Sequence, residues 1–151
     1  AVHVNRVNSA FLGDSVGYIR ITEFNGGVAE DFWSAAFALR EQGASRLVID
    51  LRDNPGGGLG EVLAVADHLI PEGKTIVTIK SRSDGEDVYK AKGDEQLGMR
   101  LAVLVNGNSA SASELLTGAL QDHGLASVVG TQTWQGHRAG LLPPAEQRRL
   151  G

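Results

Sequence analysis

Apolar positions along this chain follow two rhythms, and the alternation between them predicts most of its elements. "VGYIRI" (16–21) is a short β-branched and aromatic run that reads as a strand. Beyond it Val28, Phe32, Ala35, Ala36 and Leu39 recur at three- and four-residue steps, the period of an amphipathic helix, which Gly43 closes. "RLVIDLR" (46–52) is nearly all apolar, as expected of a strand covered on both faces. "DNPGGG" breaks the chain, and "LGEVLAVADHLI" (59–70) returns to helical period before Pro71. Strands are predicted around "TIVTIK" (75–80) and "DVYKAK" (87–92), with a Ser-Asp-Gly turn between them. Two more follow at "LAVLVN" (101–106) and "ASVVGT" (126–131), separated by a helix that opens on a run of serines. Strands alternating with helices predict an α/β domain with a mostly parallel sheet packed by helices.

Composition narrows the class without changing that outline. A chain of 151 residues suits one domain with a real core, and 42% hydrophobic with 21% charged residues is the soluble globular norm. The net charge of -4 and the lack of a basic stretch argue against nucleic acid as a partner. No cysteine is present, which excludes disulfides and thiol catalysis. The longest apolar runs are too short to span a bilayer, and the N-terminus has no signal-peptide pattern, as a mature or truncated chain would also lack.

Candidate chemistry lies in "NGNSASASELLTGALQDHG" (106–124), where three serines alternate just before a helix. Asn and Ser are ordinary helix caps. A strand, a short turn and a helix start also make a good seat for an exposed nucleophile, because free N–H groups there stabilise developing negative charge. Both readings stand on these residues alone, and "DNPGGG" alone is a strand-to-helix turn.

The order and spacing of "GYIRITEF", "LVIDLRDNPGGGLGEVLAVADHLIP", "VLVNGNSASASELLTGALQDHG" and "VVGTQT" resemble the C-terminal processing (tail-specific) serine peptidases over residues 16–133. The resemblance implies a crotonase/ClpP-like core and Ser111, the middle serine of the run, as nucleophile, with Ser109 and Ser113 as capping and packing residues. It implies an oxyanion hole from the N–H of Ala112 and an N–H of Gly56 or Gly57. It also implies a Ser-Lys dyad needing no metal or cofactor, and protein or peptide substrates with free C-termini, cut through an acyl-enzyme. Work outside the cytoplasm is implied as well. Asp122 matches an activity-linked aspartate of the family. Eleven residues of helix rise roughly 16 Å, so a continuous helix would keep Asp122 from hydrogen-bonding Ser111 and leave it a structural role. His123 reads as a partly exposed helix-end residue.

The base is missing from this pattern. The family carries its lysine in a T-F-G-K-G-x-V-Q segment, where this chain reads "TQTWQGHRAG". The expected position, 25 residues after Ser111, is Gly136, and the last lysine of the chain is Lys92. A neutral lysine would be needed, at a cost of roughly 4 to 5 kcal/mol to bring its pKa from about 10.4 to near 7. His137 is the alternative base, with no group in sight to orient it.

"WQGHRAGLLPPAEQRRLG" has no period and three arginines. Back-translated from the second base of the Trp134 codon, it permits Gly-Lys-Gly-Thr-Val-Gln and then a P-L-x-x-x-G stretch. The expectation is therefore a frameshift after Thr133, with 134–151 an aberrant, disordered tail, 16–133 the catalytic core, and 1–15 the junction left by a missing PDZ domain. Such a chain is expected to be inactive or nearly so, and an unfinished sheet edge would favour a homo-oligomer. The alternative from another class is a non-catalytic peptide-binding or scaffold protein on the same fold.

Overall fold

Five strands of one sheet and a separate two-stranded hairpin carry the chain, and the computed structural model describes residues 5–81, 85–93 and 95–133. In chain order the elements are β1 (Val7–Gly13), β2 (Val16–Ile21), α1 (Val28–Glu41), β3 (Arg46–Asp50), α2 (Leu59–Asp67), β4 (Thr75–Ser81), β5 (Gly85–Lys90), β6 (Arg100–Val105), α3 (Ala112–Asp122) and β7 (Ala126–Gly130). The main sheet runs β1-β2-β3-β6-β7, with β2, β3, β6 and β7 parallel and β1 antiparallel to β2. The chain is thus α/β with a mostly parallel sheet, as the strand–helix alternation predicts.

Residues 1–15, expected as a junction, contribute a strand that the hydrophobic pattern does not announce. Positions Asn8 to Leu12 of β1 are all exposed, so the strand shows no alternation to read. Its turn into β2 passes through Asp14 and Ser15 with φ of 51° and 63°, the positive values that a two-residue hairpin loop demands.

Among the described residues β4 and β5 pair only with each other, so the strands predicted at 75–80 and 87–92 form a hairpin beside the main sheet. β5 sits slightly earlier than predicted, because the Lys92 N–H donates to the Asp67 carboxylate rather than to a strand neighbour. α2 ends at Asp67, although Leu69 and Ile70 stay buried in the core and continue its apolar rhythm. Ile19 and Ile21 of β2, Leu47 and Ile49 of β3, and Val103 and Val105 of β6 form the floor of that core, with Phe32, Val65, Leu116 and Leu120 of the helices packed over it. Gly17 lets α1 lie close on β2, since a Cβ there would stand 3.0 Å from Leu39 Cδ1.

Candidate active site

β3 and β6 are parallel neighbours, so the loops that leave their C-terminal ends emerge side by side. One is Asp53–Gly58 and the other Asn106–Ser111, and polar side chains stitch them together. Ser109 Oγ donates to the Leu51 carbonyl at 2.7 Å, and the Asn54 carbonyl accepts from the Ala110 N–H and from Ser113 Oγ, each at 3.0 Å. Asn106 Nδ2 and Asn108 Nδ2 both donate to Asp53 Oδ1 at 2.9 Å. Those two amides hold the Asp53 carboxyl below its ordinary range, Asn108 contributing most. Ser109, Ser113 and Asn54 are fully buried, so these hydrogen bonds are sheltered from water. Ser109 and Ser113 thus pack and tether, whereas the N-cap position of α3 falls to Ser111.

Ser111 is different. It is exposed, and its backbone sits at φ 54°, ψ -117°, immediately before α3 begins at Ala112. A side chain in that region costs about 1–3 kcal/mol and persists only where the surroundings enforce it. Here they do: the Glu114 carboxylate accepts the Ser111 N–H at 3.0 Å, and Gly56 presses on the elbow from the other loop. A Cβ at Gly56 would lie 2.7 Å from Ser111 Cβ and 2.9 Å from the Ala112 nitrogen, so only glycine allows this approach.

The loop separates the two glycine donors. The Gly56 N–H is spent on Asn54 Oδ1 at 2.8 Å, while Asn54 Nδ2 donates to the Ile21 carbonyl at 2.8 Å. Gly57 is anchored through its neighbours, the Phe24 N–H donating to the Gly56 carbonyl and the Gly58 N–H to the Phe24 carbonyl, both at 2.7 Å. No acceptor among the described residues takes the Gly57 or the Ala112 N–H. Beneath the loop, Asp50 is wholly buried and accepts from Tyr18 Oη at 2.5 Å, Arg52 Nε at 2.9 Å and Arg52 Nη2 at 2.8 Å. Burial pushes its carboxyl up, but the Arg52 and Tyr18 hydrogen bonds outweigh that and hold it at about 2. Tyr18 moves the other way, raised by burial and by the carboxylate beside it.

Ser111 opens on a groove of about 680 Å³ between α3 and β4, lined by Thr75, Ile76, Thr78, Leu115 and Ala119 among others. Asp122 lines its far end, eleven unbroken helical residues away, and its neighbour His123 holds β4 through a 2.6 Å contact from Nε2 to the Thr75 carbonyl. No lysine lines this groove, and among the described residues no base is hydrogen-bonded to Ser111 Oγ. Gly136 and His137 lie outside the described residues. Among the described residues no cluster of acidic or histidine side chains could hold a metal, and no helix is long and apolar enough to cross a membrane.

Residues 15–141 match peptidase family S41. The chain belongs to that family. It is 42% identical over 122 residues to a carboxyl-terminal-processing protease of Synechocystis, covering 81% of this chain and 28% of that protein. A carboxyl-terminal-processing protease of Picosynechococcus is also 42% identical over 122 residues, covering 81% of this chain and 29% of the relative. The solved structure of a photosystem II D1 C-terminal processing protease superposes with a TM-score of 0.79 at 31% identity, over 88% of this chain and 38% of that one. The chain therefore spans between a quarter and two fifths of the length of these S41 relatives.

Within this S41 core, sequence reading missed Asn54, Glu114, and the Asp53–Asn106–Asn108 cluster. Asn54 and Glu114 had local signals, Asn54 because an Asn side chain commonly accepts the N–H two residues on, as it does here from Gly56. Ser111-Ala-Ser-Glu114 has the spacing at which an N3 glutamate reaches back to the N-cap N–H, and it does so here. Glu114 also accepts from Thr133 Oγ1 at 2.9 Å, tying the elbow to the chain that leaves β7.

Proposed function

We propose that this chain is the catalytic core of a serine endopeptidase that cuts protein or peptide substrates near their free C-termini. Ser111 is the nucleophile and forms the acyl-enzyme. The N–H groups of Ala112 and Gly57 receive the oxyanion, both being unspent donors fixed by the helix start and the glycine loop. Such donors need no reorganisation as charge develops, and losing one typically costs 10²–10³ in rate. The observation that carries this reading is the exposed serine in a strained elbow, with the unspent Ala112 N–H directly after it and the glycine loop pressed against it through Gly56. Substrate lies extended in the groove between α3 and β4, and Asp122 with His123 braces that groove from its far end. The core is of the crotonase-like type and works outside the cytoplasm, as the family resemblance implies.

The parent enzyme uses a lysine as base, and this chain lacks it. Residues from Trp134 onward are read as a frameshifted stretch, with Gly136 standing where the lysine belongs. In this form the chain turns over substrate slowly or not at all, since an unassisted hydroxyl is a poor nucleophile at neutral pH. The glycine at position 136, where the resemblance expects the lysine, also supports a second reading, a peptide-binding relic on the same fold. A fluorophosphonate probe separates the two. Labelling that disappears in Ser111→Ala supports a live nucleophile, whereas peptide binding without labelling supports the relic. The coding DNA tests the tail: if undoing a small deletion near the Trp134 codon opens no long frame, the frameshift reading fails.

A further inference from the structure

β1 closes one side of the main sheet, and among the described residues no strand pairs with its outer edge. The Thr22 N–H donates to the Arg6 carbonyl, so Arg6 and Thr22 form a hydrogen-bonded antiparallel pair. By the two-residue alternation of such ladders, Asn8 and Ala10 also turn their backbone groups toward β2. Val7, Ser9 and Phe11 then turn theirs outward.

This edge has little of the usual protection against pairing. The sequence VNSAFLG holds no charge and no proline, and it is exposed from Asn8 to Leu12. Phe11 and Leu12 are 41% and 59% exposed, among the few large apolar side chains of the fold that face water. The register shift between Phe11 and Gly13 ends regular pairing after Phe11 and is a partial defence.

We propose that this edge pairs with the same edge of a second copy of the chain, antiparallel about a two-fold axis at Ser9. That register is self-complementary. Each Ser9 N–H meets the partner's Ser9 carbonyl, and each Val7 faces the partner's Phe11. Small hydroxymethyl groups meet at the axis, where bulk would be repelled. Val7 and Phe11 share the helix-bearing side of the sheet with Gly17 and Ile21, their partners in β2. The aromatic ring thus covers the partner's aliphatic side chain, a favourable cross-strand pair. Arg6 comes opposite Leu12, so no like charges meet. The occupant is a copy of this chain because an uncharged strand with this palindromic placement of apolar groups satisfies itself.

Sedimentation velocity on the full chain over a concentration series tests this, together with two edge variants. Ser9→Pro removes an outward N–H that the monomer does not use, and Phe11→Lys places a charge on the exposed edge. A concentration-dependent dimer is expected for the parent chain, weakened at least tenfold in both variants, while the dilute variants keep the parent's unfolding midpoint. If Ser9→Pro perturbs the monomer, Phe11→Lys still decides. In hydrogen exchange, the Val7, Ser9 and Phe11 amides are expected to gain protection with concentration. A parent chain that stays monomeric up to about 1 mM overturns the proposal. So does a dimer that neither variant weakens.

Discussion

Adding one methyl group at position 56 probes the contact on which the whole elbow depends. In Gly56→Ala the new Cβ would stand 2.7 Å from Ser111 Cβ, 2.9 Å from the Ala112 nitrogen and 3.0 Å from the Ala110 carbonyl oxygen. Two of these are backbone atoms at the start of α3, held by the Asn54 carbonyl through Ala110 and Ser113, so they cannot step aside cheaply. The backbone at Gly56 has φ +108°, which by itself costs a side chain about 1–3 kcal/mol. Forcing atoms into a filled site adds about 1–3 kcal/mol. The expected loss is therefore about 4 kcal/mol, or a urea midpoint lowered by roughly 2 M for a slope near 2 kcal/mol/M. Gly60→Ala is the matched control. Gly60 lies in α2 at an ordinary φ with nothing within 4 Å of its Cβ, so alanine should add about 0.5–1 kcal/mol through helix propensity alone. Urea unfolding of the two variants at pH 7 reads both. Equal midpoints for Gly56→Ala and the parent chain would falsify the claim that the glycine loop and the serine elbow are wedged together.

Three further outcomes follow from the same geometry. Ser111→Gly should be more stable than Ser111→Ala by about 1 kcal/mol, because only glycine relieves the positive φ, and thermal unfolding of the pair checks this. Asn54→Ala leaves the Gly56 N–H and the Ile21 carbonyl unpaired in a buried place and should cost about 2–4 kcal/mol by urea unfolding, with Asn54→Asp no milder at pH 7 because a buried carboxylate oxygen would face the Ile21 carbonyl. Asp50 has a folded pKa of about 2 against an ordinary 3.8, so its contribution is present above pH 3.8 and is lost as pH falls through 2. It amounts to about 2 kcal/mol. Urea unfolding at pH 6 and at pH 2.5 should show a steep acid loss in the parent chain and a shallower one in Asp50→Asn; parallel losses would refute the assignment.

Sequence alone determined the elements whose signal is local. The 3.6-residue rhythm of Val28, Phe32, Ala36 and Leu39 marked α1, because one face of that helix meets the core. The nearly all-apolar run at 46–52 marked β3, because both faces of that strand are covered. The paired motifs around Asp53–Gly58 and Asn106–Ser111 were legible because a glycine loop and a serine helix start are written in consecutive residues. What decided the site was the meeting of residues more than fifty positions apart. The turn from Asn54 Oδ1 to the Gly56 N–H is local, but no local pattern says that the Asn54 amide is anchored to the Ile21 carbonyl and its own carbonyl to the Ala110 N–H. Nor does one show that β1 joins the sheet, since an edge strand exposed along its length has no alternation to display. Periodicity records which face of an element is buried. Hydrogen-bond ownership and strand neighbours are properties of the assembled chain, and only the tertiary structure could assign them.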